Sequence, residues 1–278
     1  MLNKLQNKPL FTALLVIGIY ALTFIVPALF LGIDAKSKGM ESIAFVIGQW
    51  ERQLATVLIV ALIITKLGWW KEVGFVSVHK GGMKFILFPF LYTLILLLFS
   101  LDQYSSDKSW LMGFSDPTQL ISLALVILGV GVTEELLFRG ILFHGLETYF
   151  KPLIVVLLSA LIFGLFHYVN LLTNAPLYQT DYQVAHAMAV GFMYGMLRLR
   201  VGALWPIMLF HAFWDFTIIA SSQLTPAVTS SVTDTFALST LLTMIIPATL
   251  YGLFVYWRWV VWKKSTYLEL KPHMRTIL

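Results

Sequence analysis

Gly131-Val-Thr-Glu-Glu-Leu-Leu-Phe-Arg-Gly140 decides how this chain is read. Glu134, Glu135 and Arg139 lie inside an apolar run that begins near Leu120. At the centre of a membrane helix each such charge costs about 2.5–3.5 kcal/mol, so three unpaired ones would cost roughly 8–10 kcal/mol. A chain that carries them must supply partners. Glu135 and Arg139, at i and i+4, share one helix face and can pair. Glu134 points about 100° away and needs another partner or a water-filled cavity. The bland alternative, three packing charges between helices, loses weight for Glu134 once the downstream sequence is considered.

The surroundings are those of a membrane protein. Hydrophobic residues make up 59% of the chain and charged ones 12%, far from the balance of a soluble domain. No soluble segment is long enough to bury its own core. The expectation is an all-α polytopic membrane protein, one integral membrane domain over 1–278, with the lipid bilayer as its solvent. There is no cysteine, which excludes disulfides, thiolate metal sites and cysteine nucleophiles. The net charge of +5 needs no nucleic-acid partner, because Lys and Arg fall mostly in short loops on one side.

About eight spans are expected, with helices 4–7 holding the site. The first, Leu10–Leu31 behind Lys4 and Lys8, is too long for a signal peptide and lacks a small-residue cleavage site, so it reads as an uncleaved span. The second ends near Leu67; its apolar part starts near Leu54, and Ile43–Arg52 lies at the interface or extends the helix. A basic loop with Lys66, Lys71, Lys80, Lys84 and the anchors Trp69 and Trp70 follows. Phe85–Ser100 is the third span and Leu101–Pro117 an external loop. Thr118–Leu146, Pro152–Tyr168, Tyr182–Leu199 and Gly202–Ala220 are the fourth to seventh, and Thr235–Trp257 the eighth. Val169–Asp181, without Lys or Arg, reads as external. Ala187, Gly191 and Gly195 give the sixth span a small-residue face for close helix approach. By charge asymmetry both termini are expected on the cytoplasmic side, with the plasma membrane as the expected location; Lys36 and Lys38 count mildly against this orientation.

Three later positions answer Glu134. His167 closes the fifth span, and His211 and Asp215 share a face of the seventh. A lone membrane histidine is commonly a helix–helix hydrogen bond. Glu, His and His/Asp arriving from three helices form instead an acid–base cluster in a low-dielectric cavity, a setting for general-base work. Two chemistries are open. Glu134, His167 and His211 can ligate a divalent metal such as zinc that activates water. Alternatively Glu134 takes a proton from water while the imidazoles orient that water and stabilise an oxyanion, with no cofactor. Both are acyl-bond hydrolysis. His144 and His186 read as helix contacts, and His79 and His273 as loop or tail residues.

Glu134-Glu135-x-x-x-Arg139, then Phe163-x-x-x-His167, then His211-x-x-x-Asp215, in that order on successive spans, resembles the CAAX protease and bacteriocin-processing (CPBP, or Abi) family of intramembrane endopeptidases, related to the type II CAAX prenyl proteases. The resemblance covers about Leu120 to Ala220, and a catalytic core over 118–222 is expected. Leu204-Trp-Pro-Ile-Met-Leu-Phe-His211 is also similar to the family's approach to its second histidine. The resemblance implies that Glu134 and His167 activate water and that His211 and Asp215 serve the oxyanion. Glu135, Arg139 and Phe163 are supporting residues. The Asp215 position is Asn in some members, and an ionised Asp cannot donate to an oxyanion. Either Asp215 is protonated, or it orients His211, or the site works differently. The implied substrate is a membrane-associated protein or peptide. The rivals are a non-catalytic member acting as scaffold, bacteriocin self-immunity protein or sensor regulator, and a proton-coupled transporter. The transporter would call for related halves, and none is visible.

Overall fold

In a bilayer, every backbone N–H and C=O must be satisfied within the protein, so long apolar runs fold as helices. The computed structural model describes residues 2–30, 50–79, 81–105, 117–173, 175–224 and 240–262, and no strand occurs among them. Among the described residues, a short turn of helix, Leu2–Gln6, is followed by eight longer helices. They are α1 Pro9–Phe30, α2 Trp50–Leu67, α3 Lys84–Ser105, α4 Pro117–Glu135, α5 Pro152–Phe166, α6 Leu177–Val201, α7 Trp205–Leu224 and α8 Ile246–Trp262. Lys36, Lys38, Lys80 and the basic tail from Lys263 lie outside the described residues, as do most of Leu101–Pro117 and Ser221–Thr233.

Four stretches are long and apolar enough to cross a membrane: Pro9–Val26, Ile121–Glu147, Pro152–Leu172 and Leu241–Arg258. Lys84–Ser100 and Trp205–Ile219 are shorter apolar helices. The helices thus follow the expected order, while α2 and α6, 18 and 25 residues long, are kept out of this group by composition. The physical reason is clearest in α6. Its second half, from Ala189 to Val201, is buried almost throughout, so it is solvated by protein and does not need an apolar surface all round. Outer faces show the opposite pattern. Leu58, Leu62, Ile95, Phe99 and Leu125 are each more than half exposed, as expected where lipid replaces water.

Small residues set the helix spacings around the site. A methyl group at Gly131 would lie 2.9 Å from the Ala212 backbone nitrogen and 3.0 Å from the Met208 carbonyl, so α4 and α7 approach backbone to backbone there. On α6, a methyl at Gly195 would meet Val156 Cγ1 at 2.8 Å, and one at Gly191 would meet Phe163 Cδ1 at 3.1 Å. The small-residue face of α6 therefore packs on α5, as its spacing suggests. At the basic end, α6 stops at Gly202, whose φ of 80° suits only glycine well. The loop between α2 and α3 is tied to this corner: Leu204 N–H donates to Gly74 O at 2.9 Å and His79 N–H to Val201 O at 3.2 Å.

Candidate active site

The polypeptide of α4 does not end at Glu135. It continues through a π-helical segment, Leu136–Leu142, into Phe143–Glu147. Every residue of the π segment is buried. Ser159 of α5 donates its hydroxyl to the Phe138 carbonyl at 3.0 Å within it. Sequence reading expects a plain α-helix here; π segments are rare and concentrate at functional sites.

Glu135 and Arg139 pair as their spacing predicts. Arg139 Nη1 donates to Glu135 Oε1 at 2.9 Å, and both side chains are wholly buried. The arginine is held between rings, its Cζ 4.1 Å from the Phe163 centroid and 5.5 Å from that of Tyr194. Gly191 makes room for it, since a methyl there would sit 2.8 Å from Arg139 Nη2.

The same Glu135 oxygen also lies 2.9 Å from His211 Nδ1. A carboxylate only accepts, so Nδ1 carries the hydrogen and Nε2 is presented to the opposite side. There it stands 3.3 Å from Asp215 Oδ2 and 3.7 Å from Glu134 Oε2. Glu135 is thus a clasp between Arg139 on its own helix and His211 on α7. The sequence assigns it only the bracing of α4; the link across helices follows from the close approach at Gly131.

His167 sits where α5 tightens into the 3-10 segment His167–Thr173. Its Nδ1 is 2.9 Å from the Phe163 carbonyl, which again fixes Nδ1 as the donor and leaves Nε2 with its lone pair. Phe163 packs edge-on against both histidines, at 4.9 Å from His167 and 6.0 Å from His211. Tyr168 and Asn170 of the 3-10 segment bond to Asp181 and Gln183 of α6 at 2.9 and 2.8 Å. The stretch 169–181, expected to be external, is largely helical and tied down by these bonds.

Glu134, His167, His211 and Asp215 all line one cavity of about 450 Å³. Its walls reach beyond α4–α7. Tyr20 and Phe24 come from α1, Arg52 and Gln53 from α2, and Thr240 and Met244 from the stretch before α8. Arg52 extends α2 instead of lying at an interface, and its Cζ is 4.0 Å from the Phe24 centroid. Its only sequence signal is a charge at the polar start of an apolar run. His186 is a helix contact, stacked on Trp214 at 5.8 Å, but it lines the cavity as well. His144 packs edge-on against Trp69 at 4.8 Å. Among the described residues, no three His, Asp or Glu side chains come together in a way that could hold a metal ion.

The side chains of Glu134, His167, His211 and Asp215 thus face one cavity among the helices. Residues 116–217 match the family model of type II CAAX prenyl endopeptidase Rce1-like proteins, which bears out the family resemblance of the motifs. No curated protein and no solved structure matches the chain. The family match and the four apolar helices together mark an integral membrane protein.

Proposed function

We propose that this protein is an intramembrane endopeptidase of the CAAX-protease type, hydrolysing a peptide bond of a membrane-associated protein or peptide. The observation that carries this reading is the convergence of Glu134, His167, His211 and Asp215 on one cavity. Glu134 is the general base. It takes a proton from a water held also by the Nε2 lone pair of His167, and the resulting hydroxide adds to the scissile carbonyl carbon. His211 Nε2–H donates to the oxyanion of the tetrahedral intermediate. Collapse breaks the C–N bond as Glu134 returns its proton to the departing nitrogen, leaving a carboxylic acid and an amine.

Asp215 acts through His211. At 3.3 Å from Nε2, it holds that nitrogen in its protonated form, so an ionised Asp serves an oxyanion site without donating to the oxyanion itself. Glu135 does the same for Nδ1. Between them the two carboxylates hold His211 as the imidazolium and fix its ring orientation.

The test is a comparison of membrane-associated peptides from cells that carry the wild-type protein and Glu134→Ala. A set of shortened chains and released fragments present only with wild type is expected; identical peptide profiles would remove the enzyme reading. We also place both termini on the cytoplasmic side of the plasma membrane, following the Lys and Arg asymmetry. Reporter fusions at Lys8 and Lys271 should both read cytoplasmic, and a split result would overturn the eight-span arrangement.

A further inference from the structure

The groups given a part in the chemistry come from α4, α5 and α7. The wall that α2 adds to the same cavity is polar as well, and none of those steps uses it. Arg52 and Gln53, neighbours near the start of α2, both line the cavity. Gln53 is only 4% exposed, and its amide oxygen Oε1 has no hydrogen-bond partner. Arg52 Nε, also buried, has none either. A buried donor or acceptor left unpaired is costly. One of each, on adjacent residues of a cavity wall, calls for a ligand that supplies both an acceptor and a donor.

Both side chains are held in place. Arg52 Cζ lies 4.0 Å from the Phe24 ring centroid, and the Gln53 amide group bonds the Tyr20 hydroxyl. Gln53 sits where α4 has no side chain of its own, since a methyl group at Gly129 would lie 3.1 Å from Gln53 Cβ. Glu134 is five residues further along α4, a rise of about 7.5 Å. An extended peptide covers that distance in roughly two residues.

Charge narrows the choice of ligand. Among the residues lining the cavity, Arg52 is the only Lys or Arg, and it shares the space with the carboxylates of Glu134 and Asp215. Arg52 interacts electrostatically with Glu134, but the nearest cationic partner of that carboxylate is His211, at 3.7 Å. Balancing Glu134 accounts for neither Arg52 Nε nor Gln53 Oε1. A guanidinium is permanently charged and donates through a planar fork that matches a carboxylate. An amide oxygen accepts a peptide N–H. At neutral pH the anion carried by an unmodified peptide is a carboxylate.

We propose that Arg52 and Gln53 form a subsite that sets substrate preference, with Arg52 receiving a carboxylate of the bound peptide and Gln53 Oε1 accepting a backbone N–H beside it. The inference rests on the cavity holding a peptide, as the peptidase reading requires. The carboxylate belongs to an acidic side chain or to the end of the chain, and both present the same two oxygens to Arg52.

The experiment uses the detergent-purified full chain carrying Glu134→Gln, so that peptides bind without being cut. Three dye-labelled apolar octapeptides serve as probes: one with a free C-terminal carboxylate, one with a C-terminal amide, and one with a C-terminal amide and an internal glutamate. Fluorescence anisotropy reads their binding. At least one carboxylate form should bind roughly tenfold more tightly than the neutral form, and the form that does so identifies the source. Adding Arg52→Gln should remove that preference while leaving the neutral probe bound as before. Adding Gln53→Leu, which keeps the Cβ packed on Gly129, should weaken the carboxylate form about fivefold; it remains informative where the Arg52 variant folds poorly. Equal binding of all three probes would overturn the proposal. So would a preference that survives Arg52→Gln, or an equal loss for every probe, which would make Arg52 a partner of Glu134 alone. Incubating the same probes with wild type separates this inference from the peptidase reading. Carboxylate-dependent binding without any cleavage would keep the subsite and count against the enzyme; cleavage of all three at equal kcat/KM would keep the enzyme and overturn the subsite.

Discussion

Glu134 and Glu135 are adjacent in sequence and occupy different media. Glu135 has no exposed surface and shares one oxygen between Arg139 and His211. The Glu134 side chain is 13% exposed, faces the cavity, and has its nearest cationic partner, His211 Nε2, at 3.7 Å, longer than a hydrogen bond. One step of about 100° around the helix separates a carboxylate used as a fixed strut from one left available to react. The contrast extends to their surroundings. On the Glu135 side, aromatic rings enclose Arg139; on the Glu134 side, Asp215 is 27% exposed and polar residues from α1, α2 and α6 line the space. A buried carboxylate held by two close ion pairs carries structure, and one with no partner at hydrogen-bond distance is where chemistry can occur.

The sharpest way to break this comparison is to make the same conservative change on each side. Glu134→Gln keeps the shape, removes the base, and should lower the cleavage rate by roughly 10²–10⁴-fold. Its melting temperature should stay near that of wild type, because no close ion pair is lost. Full cleavage by Glu134→Gln would end its assignment as the base. Alanine at His167 or His211 should be comparably severe, and combining either with Glu134→Gln should add little, since groups acting as a unit are non-additive.

On the Glu135 side the expected order of effects reverses. Arg139→Ala strands a fully buried carboxylate, and breaking such a pair typically costs about 3–5 kcal/mol. Lower folded yield and a lower melting temperature are expected, with any loss of activity following the loss of fold. A variant of wild-type stability without activity would move Arg139 and Glu135 across the divide and into the reacting groups.

The parts of this arrangement that were legible in the sequence are the local ones. Glu135 with Arg139 and His211 with Asp215 are i, i+4 pairs, so spacing alone places each on one helix face, and both pairs form in the structure. The order of apolar runs also gives the order of helices. What was not legible depends on helices meeting. The hydrogen bond from His211 to Glu135 requires α4 and α7 to close at Gly131, where any side chain would strike the Ala212 backbone. Nothing about an isolated glycine in an apolar run announces that. For Arg52 the sequence left an interfacial charge and an extension of the helix both open, because only packing turns the start of α2 towards Glu134. The π segment after Glu135 has no composition signal at all. Hydropathy also gives no sign that Arg198 and Arg200, at the end of α6, are buried against protein.

The smallest expected effect concerns Asp215, and it refines the division between strut and reacting group. Asp215 is more exposed than either glutamate, yet its contact at 3.3 Å is with His211 Nε2, so it stands between the two roles. If it acts by holding that nitrogen protonated, Asp215→Asn removes the charge but supplies an amide N–H that can itself donate to an oxyanion. The two changes oppose each other, and kcat/KM should change by less than about tenfold, well short of the 10²–10³ typical of losing an oxyanion donor outright. Asp215→Ala supplies no donor and should fall nearer that larger range. The ratio between the two variants is therefore the measurement. Equal and severe losses in Asn and Ala variants would mean that the negative charge itself is required, placing Asp215 with Glu134 as a proton acceptor. Equal and negligible losses would mean that Glu135 alone suffices to set His211, and that the carboxylate at 215 lies beside the chemistry without taking part.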